Sequence, residues 1–195
     1  MSPRCKKLPR SFYERDTLIV AEDILGKYII YQTNDSKLSA RIVEVEAYIG
    51  KGDPACHAHK GMTKRNEVMF GKAGHAYIYF IYGMYHCLNF VTEREGFPAA
   101  VLLRAAEPVE GLEVMRNVMT DKADRKLLAG PGLFCKVFGL SREQNGLDLT
   151  KKTIYLEDRF DKNVELAKSA RIGISEGKEL EWRFYDKNSP SISRK

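Results

Sequence analysis

Two apolar, strand-like runs, residues 76–82 and 85–92, are separated only by Gly83-Met84. Two residues beginning with glycine fit a tight type II′ turn, so the runs are expected to pair as an antiparallel hairpin. Further strands read on both sides of it. Residues 27–32 and 38–48 form two, joined by the polar turn 33–36, and 99–105 forms a third apolar strand after the hairpin. Short terminal strands are expected at 154–157, 170–175 and 181–185. Helical spacing covers 11–25, with Ser11 in the N-cap region and Gly26 as the stop, and recurs at 109–119, 124–128 and 133–140. The last of these is entered through Gly130-Pro131-Gly132. Strands and helices intermix without a βαβ rhythm, so the expected class is α+β. Residues 1–10, basic and punctuated by proline, are expected to be a loose arm, with one domain over 11–195.

Composition removes several classes. The chain has 195 residues, 44% hydrophobic and 30% charged, which excludes a disordered polyelectrolyte. No window approaches the ~20 apolar residues of a spanning helix, and no apolar segment follows the charged start, so neither membrane insertion nor secretion is expected. Cys5, Cys56, Cys87 and Cys135 form no CxxC pair, which suits a reducing compartment. Thirty-two Lys and Arg against 26 Asp and Glu give a net charge of +6, compatible with a polyanionic partner but not diagnostic of one. The phosphate-loop, dinucleotide-fold and nucleophile-elbow motifs are absent.

Four constellations carry potential chemistry. In Arg41-Ile42-Val43-Glu44-Val45-Glu46-Ala47-Tyr48, alternation puts Val43, Val45 and Ala47 on one face and Glu44, Glu46 and Tyr48 on the other. The second face is either solvated or part of a site, and it runs into a long basic loop at 49–75. Cys56-His57-Ala58-His59 lacks structural zinc spacing and the deaminase pattern, so no metal is expected. In the hairpin, most aromatics suit a core. Tyr82, beside the turn with Met84, has few neighbours there and suggests a wedge that enters a partner. Arg104, late in an apolar strand, needs a facing carboxylate, and Glu46 and Glu107 are the candidates.

Together these segments resemble the alkyladenine (3-methyladenine) DNA glycosylase family. The matching stretches are RIVEVEAYIG at 41–50, DPACHA at 53–58, TKRNEVMF at 63–70 and GHAYIYFIYGMYHCLN at 74–89. AVLLRAAEPVEGLEVMR at 100–116, GPG at 130–132, ARIGI at 170–174 and RFYDKNSPSIS at 183–193 follow in family order. The resemblance implies a single domain with a mixed, mainly antiparallel, partly barrel-like sheet, surrounding helices and a protruding hairpin that inserts into DNA. It implies removal of alkylated or deaminated purines from duplex DNA, without a cofactor, by a monomer.

Carried over by position, Glu46 matches the water-activating carboxylate and Arg104 the arginine that orients the water and Glu46. The Ile172 backbone carbonyl matches a further water contact. Tyr48, His57 and Tyr79 match the side chains that line and stack on the extruded base, and Asn89 a pocket residue that obstructs the amino group of guanine. Tyr82, with Met84 nearby, matches the intercalating tip. The basic loop, with Lys60, Lys64, Arg65 and Lys72, would hold DNA phosphates. Two departures stand out: Leu133 occupies the place of a usual lysine, with Lys136 three residues on, and Val45 that of a usual threonine. A cytoplasmic, nucleoid-associated location is expected, or a nuclear one in a eukaryote. Two other readings remain open on sequence: a non-catalytic binder of damaged or bent DNA, and an RNA-binding or RNA-modifying domain without a recognisable RNA motif.

Overall fold

The computed structural model describes residues 5–33, 36–161 and 163–194. The chain begins with β1 (Lys6–Lys7), α1 (Arg10–Tyr13), α2 (Thr17–Asp23), β2 (Tyr28–Gln32) and β3 (Lys37–Ile49). The hairpin strands β4 (Ala76–Ile81) and β5 (Tyr85–Val91), then β6 (Ala99–Glu110), follow a long loop that holds one 3-10 turn, Glu67–Phe70. Two helices come next, α3 (Leu112–Val118) and α4 (Pro131–Val137), and three strands close the order, β7 (Ile154–Asp158), β8 (Leu166–Ser169) and β9 (Arg183–Asp186).

The strands form one antiparallel sheet in the order β1-β7-β2-β3-β6-β5-β4. β9 joins the later half of β3, and β8 pairs with β9. The ends of the path do not meet among the described residues, so the sheet is open rather than a barrel. The main core lies on one side, where Ile42, Val45, Val101 and Leu103 meet Val20 and Ile24 near α2 and Phe134 and Phe138 near α4. Among the described residues no helix is long and apolar enough to cross a membrane.

The alternation expected in β3 fails at one point, and that point matters. Ile42 pairs with Ala106, but Glu44 with Ala105 and Val45 with Leu103, so Val43 and Arg104 are each left as the extra residue of a bulge. Ala40 and Ile42 face the main core, then Val45 and Ala47 do. Val43 lies instead with Ala105 and Ile192 in a small separate cluster, not with Val45 as alternation predicts. Paired bulges re-aim side chains next to sites. Here they put Arg104 on the face that carries Glu44 and Glu46.

Other expectations shift locally. Residues 1–4 of the expected loose arm lie outside the described residues. Beyond them Lys6 and Lys7 pair with Asp158 and Glu157, and Arg10 opens α1 and bonds Asp148 at 2.7 Å, so this part is docked. The single helix expected over 11–25 is two. Asp16, not Ser11, caps the longer one, accepting the amides of Leu18 and Ile19 at 2.9 and 3.2 Å. The turn at 33–36 is described only at its ends. The strand expected at 170–175 is a loop, and β8 pairs with β9 in its place. The hairpin loop starts one residue earlier than predicted and is one residue longer. Ile81 pairs with Tyr85, which leaves Tyr82, Gly83 and Met84 between the strands; the Met84 N–H donates to the Ile81 carbonyl at 3.3 Å, and Tyr82 and Gly83 both have positive φ, 54° and 68°. An aromatic residue is held in the left-handed region, where glycine and asparagine are preferred.

Candidate active site

One face of the sheet floors a cavity of about 470 Å³. Alternation in β4 points Tyr77, Tyr79 and Ile81 into it. Cys87 and Asn89, directly opposite Tyr79 and Tyr77 on β5, join them. Leu102 and Arg104 of β6 and Tyr48 of β3 complete the floor, and His57, Pro131 and the segment Ile172–Ser175 form the walls. The size suits a small organic ligand. Its lining joins four tyrosines and His57 to aliphatic side chains, with a few fixed polar groups.

Glu46 lies behind this wall with no exposed surface. Its Oε2 accepts the Tyr48 hydroxyl at 2.8 Å and Arg104 Nη1 at 3.2 Å, and its Oε1 accepts the Ile172 N–H at 2.7 Å. A buried carboxylate needs such partners. The four lone-pair directions of a carboxylate are thereby reduced to one among the described residues, and it belongs to Oε1. Of the two partners expected for Arg104, Glu46 is present, whereas Glu107 pairs with Arg41 at 3.3 Å. The second partner is Glu44, fully buried, whose Oε1 accepts Arg104 Nε at 3.2 Å. Burial opposes the charge of Arg104, but the Glu46 and Glu44 carboxylates outweigh it and hold the guanidinium above its usual range. The bond seen at Ile172 comes from its N–H rather than its carbonyl.

The aromatic walls are set by shared contacts. The His57 Nδ1 lies 3.0 Å from the Tyr77 hydroxyl, and its ring meets that of Tyr79 edge-on at 4.5 Å. Burial, then the nearby Arg65 charge, lowers His57 to about 4, so the ring is neutral at pH 7. Burial raises Tyr77 to about 12 and Tyr79 well above the usual tyrosine range. For Tyr48, burial and the Glu46 charge act in the same direction. The rings therefore offer uncharged π faces and intact hydroxyls. Asn89 is buried and donates its Nδ2 to the Tyr77 carbonyl at 3.0 Å, which fixes the orientation of its amide.

Two loops are pinned to this wall by a pair that sequence reading missed. Asp53 and Arg171, both side chains fully buried, meet through two bonds of 2.6 and 2.7 Å. Arg171 also donates to the Ala47 carbonyl at 3.0 Å, and its guanidinium lies 4.7 Å from the Tyr48 ring centre. Asn66, also buried, ties the loop together through the His57 and Gly61 carbonyls. Tyr77 was legible as the alternate partner of Tyr79. Glu44 shares by alternation the face of Glu46, but nothing in spacing alone marks Asp53.

The remaining expected residues lie at the rim. Tyr82 and Met84 are 76% and 67% exposed at the hairpin tip, with Tyr82 at the cavity edge. Lys64, Arg65 and Lys72 are exposed, and Arg65 reaches over the Tyr79 ring at 5.4 Å. Leu133 lines a smaller apolar recess beside the tip, and Lys136 is exposed one helical turn on. A Cβ at Gly132 would lie 2.7 Å from the Tyr85 ring, so glycine permits the close approach of α4 to the hairpin.

A family model described as Methylpurine-DNA glycosylase matches residues 11–190. Among curated relatives, one from Methanocella arvoryzae is 49% identical over 193 residues, covering 96% of each chain. One from Alkaliphilus oremlandii is 46% identical, covering 97% of this chain and all of its own. One from Wolbachia sp. subsp. Brugia malayi is 51% identical, covering 91% of this chain and 95% of its own. All three carry the name "Putative 3-methyladenine DNA glycosylase". Because the matched range takes in β3, the hairpin, β6 and the loop at Ile172, every element that walls the cavity, the chain belongs to the methylpurine-DNA glycosylase family.

Proposed function

We propose that the protein hydrolyses the N-glycosidic bond of alkylated or deaminated purines, of the 3-methyladenine, hypoxanthine and ethenoadenine class, in duplex DNA, leaving an abasic site. The observation that carries this reading is a buried carboxylate, Glu46, directly behind a tyrosine-lined cavity, held by Arg104, Tyr48 and the Ile172 amide. A base within a duplex is inaccessible at C1′, so the nucleotide must be extruded, at a cost of a few kcal/mol. Tyr82 fills the gap in the stack, with Met84 beside it. Base–aromatic stacking of roughly 1–3 kcal/mol offsets much of the extrusion cost. The extruded purine stacks on Tyr48, Tyr79 and His57, and Asn89 meets its edge. A cationic methylated purine gains further from neutral tyrosine faces, and a neutral His57 does not repel it.

Cleavage passes through an oxocarbenium-like sugar. The base leaves with the bonding electron pair as water oxygen adds at C1′. The proton of that water goes to Glu46, through the lone pair of Oε1. Arg104 holds Glu46 and the water in place, and the Ile172 carbonyl is a further contact for that water. A cationic base leaves without protonation, whereas a neutral one needs a proton donor. No lysine is among the described residues that line the cavity, which favours hydrolysis over a Schiff-base lyase route. Lys64, Arg65 and Lys72 hold phosphates, and the protein acts as a monomer.

Purified protein incubated with a duplex containing 1,N6-ethenoadenine or hypoxanthine, then treated with alkali, should break the strand at the lesion. Breaks that form without alkali would show a lyase instead. Tight lesion binding with no breaks under either condition would leave a non-catalytic damage binder.

A further inference from the structure

The same face of β3 carries a second buried carboxylate, Glu44, which the proposed reaction does not use. It has no exposed surface, and its charge is met from three directions. Its Oε1 accepts Arg104 Nε at 3.2 Å, Arg183 Nε at 2.8 Å and the Ser193 hydroxyl at 2.8 Å, and its Oε2 accepts the Ser193 N–H. The Ser193 hydroxyl in turn accepts Arg104 Nη2 at 3.3 Å. Every nitrogen of the Arg104 guanidinium is thus held: Nε by Glu44, Nη2 by Ser193 and Nη1 by Glu46.

Ser193 is brought there by packing, not by strand pairing. Ile192 lies against Val43, the extra residue of the β3 bulge, and Ala105, next to that of β6, and Lys126 bonds the Ile192 carbonyl at 3.4 Å. Arg183 binds the Arg194 carbonyl and the Ser169 hydroxyl, so the segment after β9 is tied on both sides of Ser193. Two carboxylates and two guanidiniums, Glu44, Glu46, Arg104 and Arg183, form a charge-balanced row behind the cavity. We propose that Glu44 and Ser193 are positioning residues for the glycosidic reaction: they grip the back of the Arg104 guanidinium, so that it turns only Nη1 towards Glu46 and the attacking water. Without them Arg104 can rotate about its bond to Glu46, and the water it orients is lost. A guanidinium fork loses its directional value when its other donors are free.

The inference rests on the glycosylase reading above, and one set of assays separates the two. Single-turnover base release from an ethenoadenine duplex, at saturating protein, is measured for the wild type, Glu46→Gln, Glu44→Gln, Ser193→Ala and Ser193→Thr. Affinity is measured on a duplex carrying an uncleavable tetrahydrofuran abasic analogue, and folding by the thermal midpoint. Ser193→Ala should slow release about tenfold, Glu44→Gln more, with affinity within about twofold of wild type. Ser193→Thr, which keeps the hydroxyl, should recover most of the rate. Glu44→Gln removes a buried charge between two arginines and can fail to fold, in which case Ser193→Ala and Ser193→Thr decide. Wild-type release by Ser193→Ala, or a loss of rate matched by an equal loss of affinity, overturns the positioning role while Glu46→Gln is inactive. Absence of release by the wild type takes down the glycosylase reading itself, and full release by Glu46→Gln removes Glu46 as the base while that reading stands.

Discussion

The Asp53–Arg171 pair gives a stringent test of how the site is held together. Removing the carboxylate in Asp53→Ala leaves a guanidinium with no exposed surface, whose remaining hydrogen bonds among the described residues go to the Ala47 carbonyl at 3.0 Å and the Gly177 carbonyl at 3.4 Å. Arg171 Nε already has no partner among the described residues, so the cation has no slack. Asp53 also accepts the Ile49 and Ala55 amides at 3.2 and 3.1 Å, and both would be orphaned. Breaking a buried pair from one side costs about 3–5 kcal/mol. For a chain of this length each kcal/mol moves the thermal midpoint by about 2–4 °C, so a fall of roughly 6–20 °C is expected. Calorimetry of Asp53→Ala, Arg171→Met and the double variant Asp53→Leu/Arg171→Met measures this. The double variant should recover much of the loss, because an apolar replacement leaves no charge stranded. A single-variant loss below about 1 kcal/mol would refute the argument, since a stranded buried charge cannot be that cheap.

Other consequences can be measured directly. Tyr82→Ala should slow release from a paired lesion roughly 5- to 150-fold, the equivalent of about 1–3 kcal/mol of stacking. The loss should be much smaller on a single-stranded lesion; equal losses on both substrates would remove the wedge role. Replacing Lys64, Arg65 and Lys72 together by Gln should reduce the slope of log affinity against log salt by about 2–3 units, with the single-turnover rate little changed. An unchanged slope would place the phosphates elsewhere. The depressed His57 binds its proton less readily when folded than its ordinary value near 6.5. Its contribution to stability therefore rises with pH between about 4 and 6.5 and is lost below 4. His57→Phe should flatten that part of the stability profile, and an identical profile would contradict the shift.

Much of the architecture could be read from the chain because local pattern and tertiary role agree. The hairpin, β2, β3 and β6 are each marked by apolar runs between turn residues, and the tyrosine alternation of β4 survives intact as the cavity floor. What escaped depends on contacts distant in sequence. Val43 and Arg104 carry no local sign of a bulge, which arises from matching β3 to β6 while β2 and β9 share the other edge of β3. Residues 170–175 have strand-like spacing, but Arg171 turns to Asp53 and the Ile172 N–H is donated to Glu46, so the ladder is not made. In the sequence Glu44 belongs to a face that is either solvated or part of a site. Its burial depends on Arg183 and Ser193, about 140–150 residues away. The turn is one residue longer than its glycine implies, because Tyr82 joins Gly83 in the left-handed region and leaves the strand.

The central claim is that Glu46 takes the proton of the attacking water. Single-turnover release of ethenoadenine from duplex DNA by wild type and Glu46→Gln, with affinity for the uncleavable abasic duplex measured alongside, tests it most directly. Gln keeps the acceptor oxygen and the shape but cannot act as the base, so release should fall by at least about a hundredfold while binding persists. Release by Glu46→Gln at a rate near that of the wild type, with binding intact, would contradict the account.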